Sequence, residues 1–151
     1  MENNTKDREI VISRVLNAPV ALVWEVFANP KHIMQWWGPE GFTNTLDVMD
    51  LVPGGEWKFT MHGPNGMNFH NRSVFKEIVP LKKMLFEHFN PHIMFTITFA
   101  AQGGQTLLNW HMLFDSAEEF EAVAKAHGAV EGANQNVDKL SLYLEGMAAK
   151  K

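Results

Sequence analysis

Residues 128–147 read GAVEGANQNVDKLSLYLEGM. At about 3.6 residues per turn, Val130, Ala133, Val137, Leu140, Leu144 and Met147 fall on one stripe. The opposite side carries Glu131, Asn136, Asp138, Lys139 and Glu145 and is expected to face water. Such a helix must lay its stripe against something apolar. The preceding ~75 residues alternate as strands, so the expected partner is a sheet. Asn134, one turn from Val130 and Val137, lies on or beside the stripe. A polar side chain facing a sheet needs a partner from protein, water or ligand.

Upstream of that helix, the strands announce themselves by period-two alternation. Trp57, Phe59 and Met61 share one face of residues 56–62, with Lys58, Thr60 and His62 on the other. Residues 93–101 place Phe95, Ile97 and Phe99 together, and residues 106–114 do the same for Leu108, Trp110, Met112 and Phe114. Residues 42–51 and 83–89 read as further strands. Residues 67–79 form one whose inward face stays open, because Phe69, Phe75 and Ile78 do not all share one parity; a bulge is one solution. Pro53-Gly54-Gly55, the 63–66 segment, Asn90-Pro91 and the 102–105 segment supply the turns. Earlier still, residues 9–16 alternate as a strand. Pro19 opens a short amphipathic helix to about residue 28, and Asn29-Pro30 caps a second one to Trp36. Ser116 and Glu119 have the spacing of a capping box for a helix before Gly128. The order is strand, two short helices, six consecutive strands, then helix. That order predicts an α+β chain: an antiparallel meander with one apolar face, covered by the last helix.

The 151 residues fit a single domain over 1–151, with 1–7 frayed. A formal charge of −4 and a pI near 5.9 argue against a nucleic-acid partner. No apolar run approaches the ~20 residues of a membrane span. The polar start MENNTKDREIV does not read as a secretory signal, and cysteine is absent, so a cytoplasmic location is expected. Five Trp, eleven Phe and nine Met are a heavy load of wide, deformable side chains. Such side chains suit the wall of an adaptable cavity better than a tightly specified core.

With these elements in place, Trp36-Trp37-Gly38-Pro39, Pro53-Gly54-Gly55-Glu56-Trp57, Met112-Leu113-Phe114-Asp115-Ser116 and Gly128-Ala129-Val130-Glu131-Gly132 resemble the Hsp90-ATPase-activator-homologue-like branch of the START/Bet v 1 (SRPBCC) superfamily. The resemblance spans roughly residues 8–148. It implies a helix-grip fold, a curved antiparallel sheet wrapped around a long C-terminal helix with a cavity between them. It also implies a hydrophobic small-molecule ligand, and some relatives are cyclases or dehydratases. It supplies no catalytic motif to carry over, and no cofactor.

The expected cavity takes Trp57, Phe59 and Met61 from one strand and Leu108, Trp110 and Met112 from another. Val130, Asn134 and Val137 come from the final helix, and Trp36 and Trp37 stand as gate residues at the mouth. His70 and His88 are the histidines placed nearest the cavity. His62 and His111 have outward parity, and no histidine pair has a metal spacing. Among carboxylates, Glu87 comes closest to a general acid, yet its parity opposes Met84, Phe86 and His88. Arg72 is an anchor for a ligand carboxylate if it turns inward. The leading expectation is a hydrophobic-ligand binder. Two alternatives are an enzyme using a buried His or Glu, and a module acting on a chaperone, the latter disfavoured. An exposed edge strand leaves room for a homodimer.

Overall fold

The computed structural model describes residues 6–89 and 92–149. After a short 3-10 turn at Lys6–Arg8, the chain forms β1 (Glu9–Leu16), α1 (Val20–Ala28), α2 (Pro30–Trp36) and β2 (Thr43–Met49). It continues through β3 (Glu56–His62), β4 (Asn68–Val79), β5 (Lys83–Phe89), β6 (Ile93–Gln102) and β7 (Gln105–Phe114). It ends in α3 (Ala117–His127) and α4 (Ala129–Ala149). The turn expected at Asn90-Pro91 and residues 1–5 of the segment expected to fray over 1–7 lie outside the described residues, while Lys6 and Asp7 belong to the 3-10 turn instead of fraying.

All seven strands form one antiparallel sheet in the order β1-β7-β6-β5-β4-β3-β2. The first strand therefore pairs with the last, and α1 and α2 carry the chain from one sheet edge to the other. The sheet is curved, and α4 lies against its inner face in a helix-grip fold.

Local chemistry explains the joints. Asn29 closes α1 and opens α2: its side-chain oxygen accepts from the Lys31 N–H at 3.0 Å, and Pro30 fills the first helical position, where no N–H is needed. Ser116 accepts from the Glu119 N–H at 3.1 Å at the start of α3. Gly128 takes φ 58°, ψ 47°, the left-handed conformation that a side chain disfavours, and so breaks α3 from α4.

The uncertain face of β4 is settled by a bulge. Phe75 pairs with Phe86 and Glu77 with Leu85, so Lys76 is the extra residue. Before it, Phe69, Asn71, Ser73 and Phe75 point inward; after it, Ile78 does. A second shift, at Asp47 in β2, keeps both Leu46 and Met49 on the inner side.

Two expectations for α4 need correction. Its buried stripe is Ala133, Asn136, Val137, Leu140 and Leu144, whereas Val130 is 40% exposed and Asn134 is exposed. Asn136, expected in water, is only 6% exposed. Lys139 also leaves the wet side: its amine donates to the Pro39 and Phe42 carbonyls at 3.2 and 3.4 Å, and burial pulls its pKa down against the opposing pull of Glu40.

The outer face is polar and held by ion pairs. Glu56 accepts from Arg72 at 2.9 Å, and that bond, aided by Lys58, holds its carboxyl below the ordinary range. Arg72 thus points outward, away from any ligand. At one end of the sheet, His92 bridges Glu87 (2.6 Å) and Asp115 (2.7 Å). These two carboxylates, Glu87 first, raise the His92 pKa above 6.5, and the bonds from His92 and then Lys76 lower that of Glu87 below 4.5. A raised histidine contributes fully below its unfolded pKa and loses its contribution as pH rises through the folded value. A depressed carboxylate contributes above its unfolded pKa and loses it as pH falls through the folded value. His92→Gln should therefore lower the urea midpoint most near pH 6 and progressively less towards pH 9. Equal loss at both pH values would show that the bridge does not titrate with folding.

Candidate functional site

The sheet's inner face is a row of aromatic rings, and their order follows from register. Phe75, Phe86, Phe95 and Met112 stand opposite one another across β4 to β7, and Met84, Ile97 and Trp110 do so one row away. Phe86 and Phe95 stack at 4.7 Å between centroids. Such rings fill the surface of a sheet with little conformational entropy lost, and their preferred edge and offset contacts fix their spacing.

Over this floor sits Trp37. It is the residue immediately after α2, and its ring meets Trp57 at 5.0 Å, Trp110 at 5.3 Å, Phe95 at 6.0 Å and Phe86 at 6.2 Å. One side chain thereby covers four strands, β3, β5, β6 and β7. At these spacings the rings touch, and no further molecule fits among them. Trp37 is 7% exposed, and Trp36 is buried, its ring N–H donating to the Val26 carbonyl at 3.1 Å. The expectation that Trp36 and Trp37 gate an open mouth is therefore corrected. Trp36 pins α2 to α1, and Trp37 lies in the trough, against its floor. An open groove of about 410 Å³ exists elsewhere, along residues 9–14 of β1 beside Val130 and Asn134. These two α4 residues line that outer groove rather than the inner face, because the helix is rotated to bury Asn136. Asn134 is partnered there, donating to the Val130 carbonyl at 2.9 Å.

Of the other residues picked from sequence, the structure brings Trp57, Phe59, Leu108, Trp110, Met112 and Val137 together in one buried cluster. Met61 packs against its edge, close to Gly38. The two histidines separate. His70 lies on the outer face, 3.0 Å from the Thr60 hydroxyl. His88 faces inward, 2.9 Å from Asn71 Oδ1 and edge-on to Phe95 at 6.1 Å. Among the described residues, no second ionisable side chain joins His88 on the inner face of β3 to β6.

Periodicity alone missed Asn71 and Ser73. Both point inward from β4, and Ser73 stands directly opposite Trp57 on one side and His88 on the other. The buried polar atoms of this interior are poorly served. The ring N–H groups of Trp57 and Trp110, the Ser73 hydroxyl and the Asn136 Oδ1 have no hydrogen-bond partner. Each such group costs about 1–3 kcal/mol relative to a satisfied one. Native domains carry a few such groups per hundred residues, and each asks for an explanation.

An antiparallel sheet gripping a long C-terminal helix, with an aromatic inner face, defines a helix-grip protein. Residues 17–145 match the family described as activator of Hsp90 ATPase homolog 1-like protein, and the chain belongs to that family, within the SRPBCC superfamily. No curated protein matches the sequence. Solved structures share the fold. A protein from Nitrosomonas europaea is 22% identical with a TM-score of 0.85, covering 95% of this chain and 97% of its own. One from Mycobacterium smegmatis is 24% identical with a TM-score of 0.84, covering 97% and 96%. An AHSA1-like protein from Aeromonas hydrophila is 20% identical with a TM-score of 0.76, covering 93% and 94%. No helix among the described residues is long and apolar enough to cross a membrane.

Proposed function

We propose that the protein binds a hydrophobic small molecule between the curved sheet and α4, and that Trp37 occupies the ligand's place in its absence. The observation that carries this reading is a pair of buried, partnerless indole N–H groups on the two tryptophans that Trp37 covers. The ring N–H groups of Trp57 and Trp110 are buried without a partner in the chain, and the Trp37 ring lies against both indoles. Trp37 is also placed to move. It sits at the end of α2 rather than within it, and Gly38 follows at φ 97°. The loop beyond is held to α4 by discrete bonds: Lys139 to the Pro39 and Phe42 carbonyls, and Gln135 to the Glu40 N–H at 3.1 Å. A few hydrogen bonds at one end of the fold can break without unfolding the sheet.

Binding in this scheme selects the state with Trp37 displaced, so the guest must repay the opening. Native mass spectrometry of the protein purified from its own host tests it. The expected spectrum carries an added small-molecule mass that is lost on activation. A bare mass, together with no change in tryptophan emission across a panel of apolar probes, would refute the reading.

A further inference from the structure

We infer that the trough has a polar pole at Ser73, and that the guest is an apolar molecule bearing one uncharged oxygen, a hydroxyl or a carbonyl. This rests on the ligand-binding reading above and adds to it the guest's chemical class.

Ser73 and Trp57 are paired residues on neighbouring strands and share the inner face. Residues so paired hold their Cβ atoms about 4.5–5.5 Å apart. Each is 1% exposed, and neither its hydroxyl nor its ring N–H has a partner. On the other side Ser73 pairs with His88, which is itself bonded to Asn71. The row Trp57–Ser73–His88 is therefore a short polar line across β3, β4 and β5, set beside the stacked rings of Phe86 and Phe95, with Trp37 against its Trp57 end.

The chemistry of the row selects the guest. An indole N–H only donates, and a serine hydroxyl donates or accepts. A ligand oxygen can accept from both at once, which satisfies two orphaned groups with one atom. A hydrocarbon leaves both orphaned. A carboxylate would bring a full charge into an interior where the one ionisable side chain of the row, His88, is already bonded to Asn71. The charged side chains of this part of the sheet, Glu56, Lys58, Arg72, Lys76 and Glu87, are engaged with one another and with His92 on the outer face. Arg14, at the far edge, is committed to Asp138 at 2.7 Å.

Octane, octanol, octanone and octanoate share a chain and differ in the end group, so their affinities isolate the pole. Wild-type protein should bind octanol or octanone about ten-fold more tightly than octane or octanoate, the equivalent of about 1.4 kcal/mol. Whether octanol or octanone leads tells a hydroxyl from a carbonyl guest. Ser73→Ala should remove most of the preference for octanol or octanone over octane, and Ser73→Thr should restore it. Ser73→Ala should also melt at a higher temperature than wild type when no ligand is present, because an orphaned hydroxyl has been removed. Equal affinity for octane and octanol in wild type, with no effect of Ser73→Ala, would overturn the polar pole and leave the hydrophobic binder standing. Tightest binding of octanoate would likewise overturn it. Binding of none of the four would overturn both readings.

Discussion

Replacing Trp37 with alanine is expected to lower stability by about 3–5 kcal/mol, the range for truncating a buried aromatic ring. The same change should raise affinity for an apolar fluorophore by at least about ten-fold. The two effects have one origin. In the wild type the rings of Trp57, Phe86, Phe95 and Trp110 have a partner supplied by the chain. In the variant they must find one in solution. A guest that binds only the opened state has its apparent affinity reduced by the fraction of molecules open, and truncation removes that reduction. Since total stability of a domain is about 5–15 kcal/mol, the variant needs a companion measurement that does not assume full folding. Thermal denaturation at rising probe concentration supplies it, because a ligand specific to the native state raises the midpoint by mass action.

A hole made in any core can accept a probe, so the wild-type curve decides the matter. If Trp37 is a natural stand-in for a guest, wild-type protein also binds the probe, more weakly, and its tryptophan emission shifts as Trp37 leaves the stack. Binding by Trp37→Ala alone, with wild type inert at saturating probe, would mean that the substitution created a cavity the protein does not use.

The sheet is legible in the sequence because one of its faces is buried. A strand with a wet side and a dry side must keep period two, and a slip by one residue would reverse every side chain. Hence Trp57, Phe59 and Phe95, Ile97, Phe99 fall on the correct face without any knowledge of the partner strand. The same rule fails on β4 because a single residue, Lys76, is inserted there. Phe69 and Phe75 share parity and Ile78 does not, so a bulge placed between the last two is enough to turn Asn71 and Ser73 inward on alternation alone. The polar pole is hidden only by that one choice.

The rotation of the helix is obscured for a related reason. Taken about Ala133, Val137, Leu140, Leu144 and Met147, the stripe's centre lies about 60° from Asn136 and about 100° from Asn134 at 100° per residue. Counting Val130 into the stripe pulls its centre towards Asn134. Trp37 is out of reach of such arguments. Trp36 and Trp37 are adjacent, equally apolar and at a helix end. Which of them anchors the helix and which covers the sheet depends on the path from Gly38 onward, where φ is 97° and Met61 packs close by.

Asn136 offers the second large effect, opposite in sign for stability. Its Oδ1 is buried in the face of α4 with no partner, among Ala133, Val137 and Leu140. Asn136→Leu keeps the branching of the side chain and removes the orphaned acceptor, so it should stabilise the ligand-free protein by about 1–3 kcal/mol. For a chain of this size that raises the melting midpoint by about 2–4 °C per kcal/mol. Part of any gain reflects leucine's better helix propensity, a few tenths of a kcal/mol. Asn134→Leu, made on the exposed side, measures that part less the loss of the Asn134–Val130 bond. The excess of the first variant over the second, less that bond, is the cost the protein carries by keeping an amide there. A cost held in an interior that a hydrophobic guest must enter has a use if the guest meets it, so Asn136→Leu should also retain less co-purified ligand from the host than wild type or Asn134→Leu. If instead Asn136→Leu destabilises, the amide is part of a settled core, and the case that this interior waits for a guest loses one of its four supports.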